Sequence, residues 1–276
     1  MYSSILGGLS ALFYLMAGGL AGIRLSRAGA DLQPAPWRTA PLAAGLMAVT
    51  LHALVLAQAI PRPEGFDLGF FNALSLTGWL IALVLLLTSL IRPVENLGII
   101  LLPFSALTVV LALLFPAQRI ITDPQQWPLE LHILISILAY SLLALASVQA
   151  ILLAVQDHFL RSHRPGGFIR GIPPLVTMEA LLFQLIRAGF WLLSLALISG
   201  FLFLEDIFAQ HLVHKTVLST VAWGVFGILL WGRRRFGWRG RKAIRWTLSG
   251  FTVLVLAYFG SKLVLELLLD RPWSAA

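Results

Sequence analysis

The 276 residues are 59% hydrophobic and only 12% charged. Soluble domains carry about 25% charged residues, so this chain could not cover its surface with polar groups in water. The formal net charge is +8, but the basic residues fall in short clusters between apolar runs, which is typical of membrane proteins and argues against nucleic-acid binding. The sequence contains no cysteine, which excludes disulfides, thiolate catalysis and thioether attachment of haem.

Eight segments are long and apolar enough to cross a bilayer as helices, because about twenty apolar residues are needed. They run approximately over 3–23, 40–60, 68–91, 97–115, 131–155, 186–204, 214–232 and 247–269. The first has no basic n-region and no cleavage site, so it is predicted to be retained. The pattern predicts an all-α polytopic membrane protein of about eight helices in one bundle, with 1–276 as a single domain.

The placement of the basic residues predicts the orientation of these helices. Fifteen of the twenty Lys and Arg residues fall on one side, which the positive-inside rule assigns to the cytoplasm. Both termini are then predicted to lie outside. On the cytoplasmic side, Val176 to Arg187 is expected to form an amphipathic lead-in to the sixth span, lying in the membrane interface.

Two histidines in or beside the spans are candidate ligands, because polar groups at membrane depth are costly. His52 lies in the second span, about 12 Å below the outer surface, and is either a structural histidine or a ligand. His132 begins the fifth span, where an interfacial histidine is the simpler interpretation. If the second and fifth spans are neighbours, both imidazoles could face one ligand.

The other polar residues are weaker candidates for a functional site. Lys262 and Glu266 are four residues apart on the last span, and this spacing favours a local ion pair. His211 and His214 could offer two nitrogens to a metal, although surface polarity is preferred, and His158 and His163 are expected to be solvated. Phosphate-loop, zinc-protease and serine-hydrolase motifs are all missing, so the chain is predicted not to be an enzyme.

Several segments resemble the haem-handling cytochrome c assembly superfamily, which includes CcsA, CcmC and HemX-like proteins. The similarity is carried by LELHILISILAYSLLALASVQAILL (129–153), PPLVTMEALLF (173–183), LAYFGSKLV (256–264) and, most specifically, KTVLSTVAWGVFGILLWGRRRFGWRGRKA (215–243). The resemblance implies a bundle in the bacterial inner membrane that binds or passes non-covalent haem b near its periplasmic face. It also implies a membrane or periplasmic protein partner in haem or cytochrome maturation.

The resemblance also suggests which residues would hold haem. His132 matches an axial-ligand position of the CcsA branch, and another bacterial branch has a histidine at the position of His52. A bis-histidine site is therefore expected, with aromatic residues covering the porphyrin plane. Those aromatic candidates are Phe66, Phe70, Phe71 and Trp127.

The sequence departs from the CcsA branch at three places. FLFLEDIFAQHLVHK (201–215) replaces its Trp-rich segment, and Trp231 and Leu268 stand where that branch has histidines. The departures favour an accessory, regulatory or haem-sensing role over transfer of haem to apocytochrome. Two further hypotheses remain: a haem-free scaffold or regulator acting through a partner protein, and a small-solute transporter, for which no convincing internal repeat is found.

Overall fold

The computed structural model describes residues 2–26, 35–63, 65–92, 94–116, 120–121, 126–162, 173–203, 210–260 and 263. Eight long helices account for most of these residues, and all eight predicted spans are confirmed. The helices are α1 (Tyr2–Ser26), α2 (Ala35–Ala59), α3 (Phe70–Ser89), α4 (Glu95–Leu114), α5 (Gln126–Arg161), α6 (Leu175–Phe203), α7 (Gln210–Phe236) and α8 (Gly240–Val255). A π-helical turn, Leu256–Gly260, continues α8.

Several hydroxyl groups within the helices are satisfied by the backbone of their own helix, as an apolar solvent favours. Thr77 donates from Oγ1 to the carbonyl of Ala73 at 2.8 Å, and Ser147 donates to the carbonyl of Leu143 at 3.0 Å. Such bonds to the preceding turn pair these hydroxyl groups within their own helix.

The helices pack as two four-membered rings. In the first ring α1 packs on α2 and α4, and α3 packs on the same two helices. In the second, α5 packs on α6 and α8, and α7 closes the ring against both. Contacts of α5 with α3 and α4 join the rings, so α3 lies beside the interior of both.

Charged residues from four helix termini meet at one end of the second ring, which we call the basic end. Asp157 of α5 pairs with Arg161 at 3.0 Å and with Arg241 of α8 at 3.3 Å. Glu179 of α6 pairs with Arg233 of α7 at 2.6 Å and lies 3.7 Å from Arg239. The predicted clustering of cations on one side is thus reflected in the fold, while the assignment of that side to the cytoplasm stays a prediction.

The opposite end, which we call the sheet end, carries a small sheet in segments that the sequence suggested were loops. Strands β1 (Pro61–Arg62), β2 (Gly65–Asp67) and β3 (Ile120–Ile121) pair antiparallel in that order. Gly65, at φ 145°, occupies a conformation open mainly to glycine and makes the tight turn between β1 and β2. The sheet ties the α2–α3 connection to the segment that precedes α5.

The segment predicted as a lead-in to the sixth span is continuous with it, while its position in the membrane interface stays a prediction. Helix α6 runs without interruption from Leu175, and Met178, Leu182 and Ile186 are fully buried at intervals of four residues. The Nε2 group of Gln149 on α5 donates to the carbonyl of Met178 at 2.9 Å. The amphipathic pattern is therefore the packing stripe of a spanning helix on its neighbour.

Candidate functional site

A cavity of about 210 Å³ lies inside the second ring, toward the sheet end. Helices α5, α6 and α7 each contribute a stripe of residues, and α3, the π-helical turn, Leu68 and Leu254 complete the lining. The walls are mainly apolar, with a few hydroxyl groups. The residues that carry polar atoms into the lining are Thr77, His132, Ser136, Tyr140, Lys215, Thr216, Ser219 and Tyr258.

The hydrogen bonds around His132 favour one tautomer of its ring. The hydroxyl of Ser199 donates to the carbonyl of Ala196 at 3.0 Å, so its oxygen is left to accept. His132 Nδ1 lies 2.9 Å from that oxygen, and with the Ser199 hydroxyl turned to Ala196 it is Nδ1 that donates. The neutral ring then has its lone pair on Nε2, which has only a long 3.5 Å contact with the hydroxyl of Ser136. A fixed tautomer with an available Nε2 is the arrangement that metal-binding histidines use.

Aromatic side chains form one wall of the cavity. Tyr140 packs on Phe251 and Phe259, with ring centroids 5.3 Å away in each case, and on Tyr258 at 6.5 Å. The π-helical turn places Ala257 and Tyr258 in the lining. Single π-helical turns inside membrane or soluble helices are frequent at functional sites, because the extra residue redirects neighbouring side chains.

His52 lies in the first ring and is fully buried. Its Nδ1 is 3.2 Å from the hydroxyl of Tyr14 on α1, and its Nε2 is 2.8 Å from the hydroxyl of Ser75 on α3. Both ring nitrogens are thus engaged, and the Tyr14 ring packs edge-on against the imidazole. Of the two interpretations left open by the sequence, this geometry favours the structural histidine.

Helix α3 separates the two histidines. Ser75 bonds His52, whereas Thr77, two residues further on, lines the His132 cavity. Two residues correspond to a rotation of about 200° around a helix, so these side chains lie on opposite faces. The structure therefore does not bring His52 and His132 into one pocket, and the expected bis-histidine pair is not retained.

The other expected site residues lie away from the cavity or outside the description. Phe71 stacks on Phe115 at 5.0 Å and packs edge-on against Phe70, in an aromatic cluster beside the sheet end that does not line the cavity. The side chain of Trp127 lies outside the described residues. The same holds for the predicted ion pair and the weaker metal candidates, which comprise Lys262, Glu266, His211 and His214.

Sequence reasoning missed the residues that orient and surround His132. Ser136 could have been found, because it follows His132 by four residues and so shares its helix face. Ser199 is 67 residues away on α6 and carries no sequence signal, since only the antiparallel packing of α5 and α6 brings it near.

The chemistry of the donor set limits what metal species could bind. Among the residues that the structure describes, no group of three or more His, Asp or Glu side chains is arranged to hold a metal ion. A bare ion needs three or four protein ligands, whereas a metal in a macrocycle already has four nitrogens and needs only one or two. A single oriented imidazole in an apolar cavity thus fits a metallated macrocycle better than a free ion.

Eight spanning helices around an internal cavity with one oriented imidazole define an integral, multi-pass membrane protein. The chain belongs to the cytochrome c assembly protein family, whose model matches residues 40–269. It is 33% identical to the inner membrane protein YpjD of Escherichia coli (strain K12) over 237 residues, covering 84% of this chain and 89% of the relative. This similarity and the eight spans make it a multi-pass inner-membrane protein.

More distant similarity links the chain to proteins of cytochrome biogenesis. It is 26% identical to the cytochrome c biogenesis protein CcsA of Chlamydomonas reinhardtii over 140 residues, covering 50% of this chain and 38% of that protein. The CcsA protein of Synechocystis sp. (strain ATCC 27184 / PCC 6803 / Kazusa) is 29% identical over 99 residues, 35% of this chain and 30% of that protein. No solved structure matches the chain.

Proposed function

We propose that this chain is a non-enzymatic haem-handling membrane protein that binds haem b non-covalently in the cavity of the second ring. His132 provides the axial ligand through Nε2. The observation that carries the proposal is the pair of contacts at the His132 ring: Nδ1 lies 2.9 Å from the hydroxyl of Ser199, while Nε2 has only the 3.5 Å contact with Ser136. An imidazole anchored in this way presents its lone pair at low entropic cost.

The surroundings of His132 support the same ligand class. Apolar and aromatic walls suit a flat macrocycle, and Lys215, which also lines the cavity, would place a positive charge near the two carboxylates of haem. His52 is assigned a structural role in the first ring. The predicted orientation would put the cavity in the periplasmic half of the membrane.

The family supports a role in cytochrome maturation, with a membrane or periplasmic protein as partner. The CcsA relatives are named for cytochrome c biogenesis. The segment 201–215 and the residues Trp231 and Leu268 differ from the features of the CcsA branch, as described above. An accessory or regulatory role in haem supply therefore suits this chain better than delivery of haem to apocytochrome.

The test is an optical spectrum of the full chain, expressed with excess haem and purified in detergent. The wild type is expected to show a Soret band, and His132→Ala is expected to lose most of it because the axial ligand is removed. His52→Ala is the control, since it removes a fully buried imidazole from the other ring, outside the cavity. Adding free imidazole to His132→Gly is expected to restore the band, which separates lost ligation from lost folding.

One observation favours the second candidate, a haem-free scaffold or regulator. The cavity, at about 210 Å³, is smaller than the roughly 300–1,000 Å³ of most ligand pockets, so haem would enter only if the lining side chains moved apart. A colourless wild-type protein, or a Soret band unchanged in His132→Ala, would reject haem ligation by His132. The colourless result would favour the scaffold.

A further inference from the structure

A second groove lies at the basic end, between α6 and α7, with a volume of about 610 Å³. Guanidinium groups and large apolar side chains dominate its lining, which also includes Ala180 and Gln184. The cations are Arg187, Arg233 and Arg234, and the main apolar residues are Phe190, Trp191 and Leu230. The groove is thus amphiphilic, and it is separate from the cavity around His132.

The positive charge in this groove is only partly compensated by the residues that the structure describes. Arg233 pairs with Glu179 at 2.6 Å and lies over the ring of Phe183, 4.5 Å from its centroid. Glu179 is also approached by Arg239. Within the part of the chain that the structure describes, Arg187 and Arg234 have no acidic partner. Two neighbouring cations in one groove therefore favour an anion from outside the chain.

The depth of Arg187 in the membrane indicates which kind of anion would bind in the groove. Phe183 is level with Arg233, and Arg187 follows four residues later, about 6 Å further into the membrane-spanning part of α6. Arg187 is exposed, and Trp191, one turn deeper, is 69% exposed on the surface that faces lipid. A guanidinium at a lipid-facing position is costly unless it reaches the interface or meets an anion there.

The direction of α6 helps Arg187 to reach the interface. Helical side chains lean toward the N-terminus of their helix, and the N-terminus of α6 lies at the basic end. The Arg187 side chain therefore leans toward the level of Arg234, with its aliphatic stem along the apolar surface. Two guanidiniums at headgroup level above an apolar wall match a phosphate linked to an acyl chain.

We propose that this groove is a binding site for an anionic phospholipid. Arg187 and Arg234 hold the phosphate, since guanidinium groups bind phosphate oxygens in a bidentate manner. One acyl chain lies along Phe190, Trp191 and Leu230. The apolar wall and its exposure to the bilayer select a lipid rather than soluble phosphate, and the proposal does not depend on haem binding.

Native mass spectrometry of the full chain in detergent, with phosphatidylglycerol or phosphatidylcholine added, tests the site. The wild type is expected to retain phosphatidylglycerol in preference to phosphatidylcholine. The Arg187→Gln, Arg234→Gln double variant is expected to bind phosphatidylglycerol about 30-fold more weakly, because each basic residue near the surface contributes roughly fivefold. The matched control is Arg235→Gln, Arg245→Gln, which removes the same charge from exposed positions at the basic end outside the groove.

Each outcome decides the proposal. If both double variants lose the same amount of phosphatidylglycerol affinity, the lipid is attracted only by the overall charge of the basic end. That result would overturn the proposed site. Equal retention of phosphatidylcholine, or displacement of the lipid by excess inorganic phosphate, would also overturn it. Arg187→Lys is a further variant that keeps the positive charge, and it tests the site even if a Gln variant misfolds. It is expected to bind phosphatidylglycerol more tightly than Arg187→Gln.

Discussion

The fully buried His52 and the half-buried His132 differ in what their second ring nitrogen contacts. In His52 both nitrogens lie near hydroxyl groups, at 3.2 Å and 2.8 Å. In His132 one nitrogen is held at 2.9 Å, and the other has only a contact of 3.5 Å. The first arrangement fastens helices to each other, and the second leaves a lone pair available in a cavity.

Ser199 is expected to act as a positioning residue for His132. Replacing Ser199 by Ala removes the acceptor that fixes Nδ1–H, so the ring can rotate or change tautomer. Haem affinity is expected to fall about 10–100-fold, the usual effect of losing a group that orients a metal-binding histidine. Titration of the purified apoprotein with haem, followed at the Soret band, measures the change.

Ser147→Ala is the matched control for this variant. Ser147 is also buried, but its hydroxyl only bonds back to the carbonyl of Leu143 on its own helix. Its replacement is expected to leave haem affinity unchanged. Equal affinities for Ser199→Ala and wild type would contradict the assigned tautomer.

Helix α3 is the element that both rings share, and a close approach to α4 holds it in place. The hydroxyl of Ser105 on α4 donates to the carbonyl of Gly78 at 2.8 Å. A Cβ atom added at Gly78 would collide with Oγ1 of Thr108. Small residues of this kind let membrane helices pack closely, where no hydrophobic effect drives them together.

Gly78→Ala is expected to destabilise the bundle by about 1–3 kcal/mol, the usual range for overpacking a tight interface. Thermal unfolding in detergent measures the loss. Gly224→Ala on α7 is the control, because an added Cβ there meets no atom within 4 Å. Adding Thr108→Ala to Gly78→Ala is expected to recover part of the lost stability, because the colliding side chain is removed. If the effects of the two substitutions on the free energy of unfolding simply add, the collision is contradicted.

The molecule as a whole has one strongly basic end and one end closed by the small sheet. The carboxylates of Asp157 and Glu179 link α5, α6, α7 and α8 at the basic end. This asymmetry is what the positive-inside rule uses to orient a chain during insertion. The sheet end, with the proposed haem site near it, would then face the periplasm.

The natural absence of cysteine allows a clean test of this orientation. Single cysteines are introduced at Ser274, near the C-terminus, and at the exposed Phe236, at the basic end. A membrane-impermeant maleimide is expected to label Ser274→Cys in intact spheroplasts, and Phe236→Cys only after the membrane is opened. The reverse pattern would invert the topology and put the cavity on the cytoplasmic side.

Properties that depend on local composition could be predicted from the sequence. The eight spans follow from the lengths of the apolar runs, because each helix satisfies its own backbone hydrogen bonds in lipid. The family could be recognised from the segments around His132 and Lys215. His132 could be predicted as a site residue only through the resemblance, because it matches an axial-ligand position of the CcsA branch.

Properties that depend on helix neighbours required the tertiary structure. The separation of His52 from His132 arises because α3 lies between them, and the tautomer of His132 depends on Ser199, which is distant in sequence. The packing of the Val176 to Arg187 stripe on another helix could not be predicted, because apolar periodicity does not reveal whether lipid headgroups or another helix covers it. Periodicity describes one helix at a time, whereas ring membership and side-chain pairing are set by how eight helices pack together.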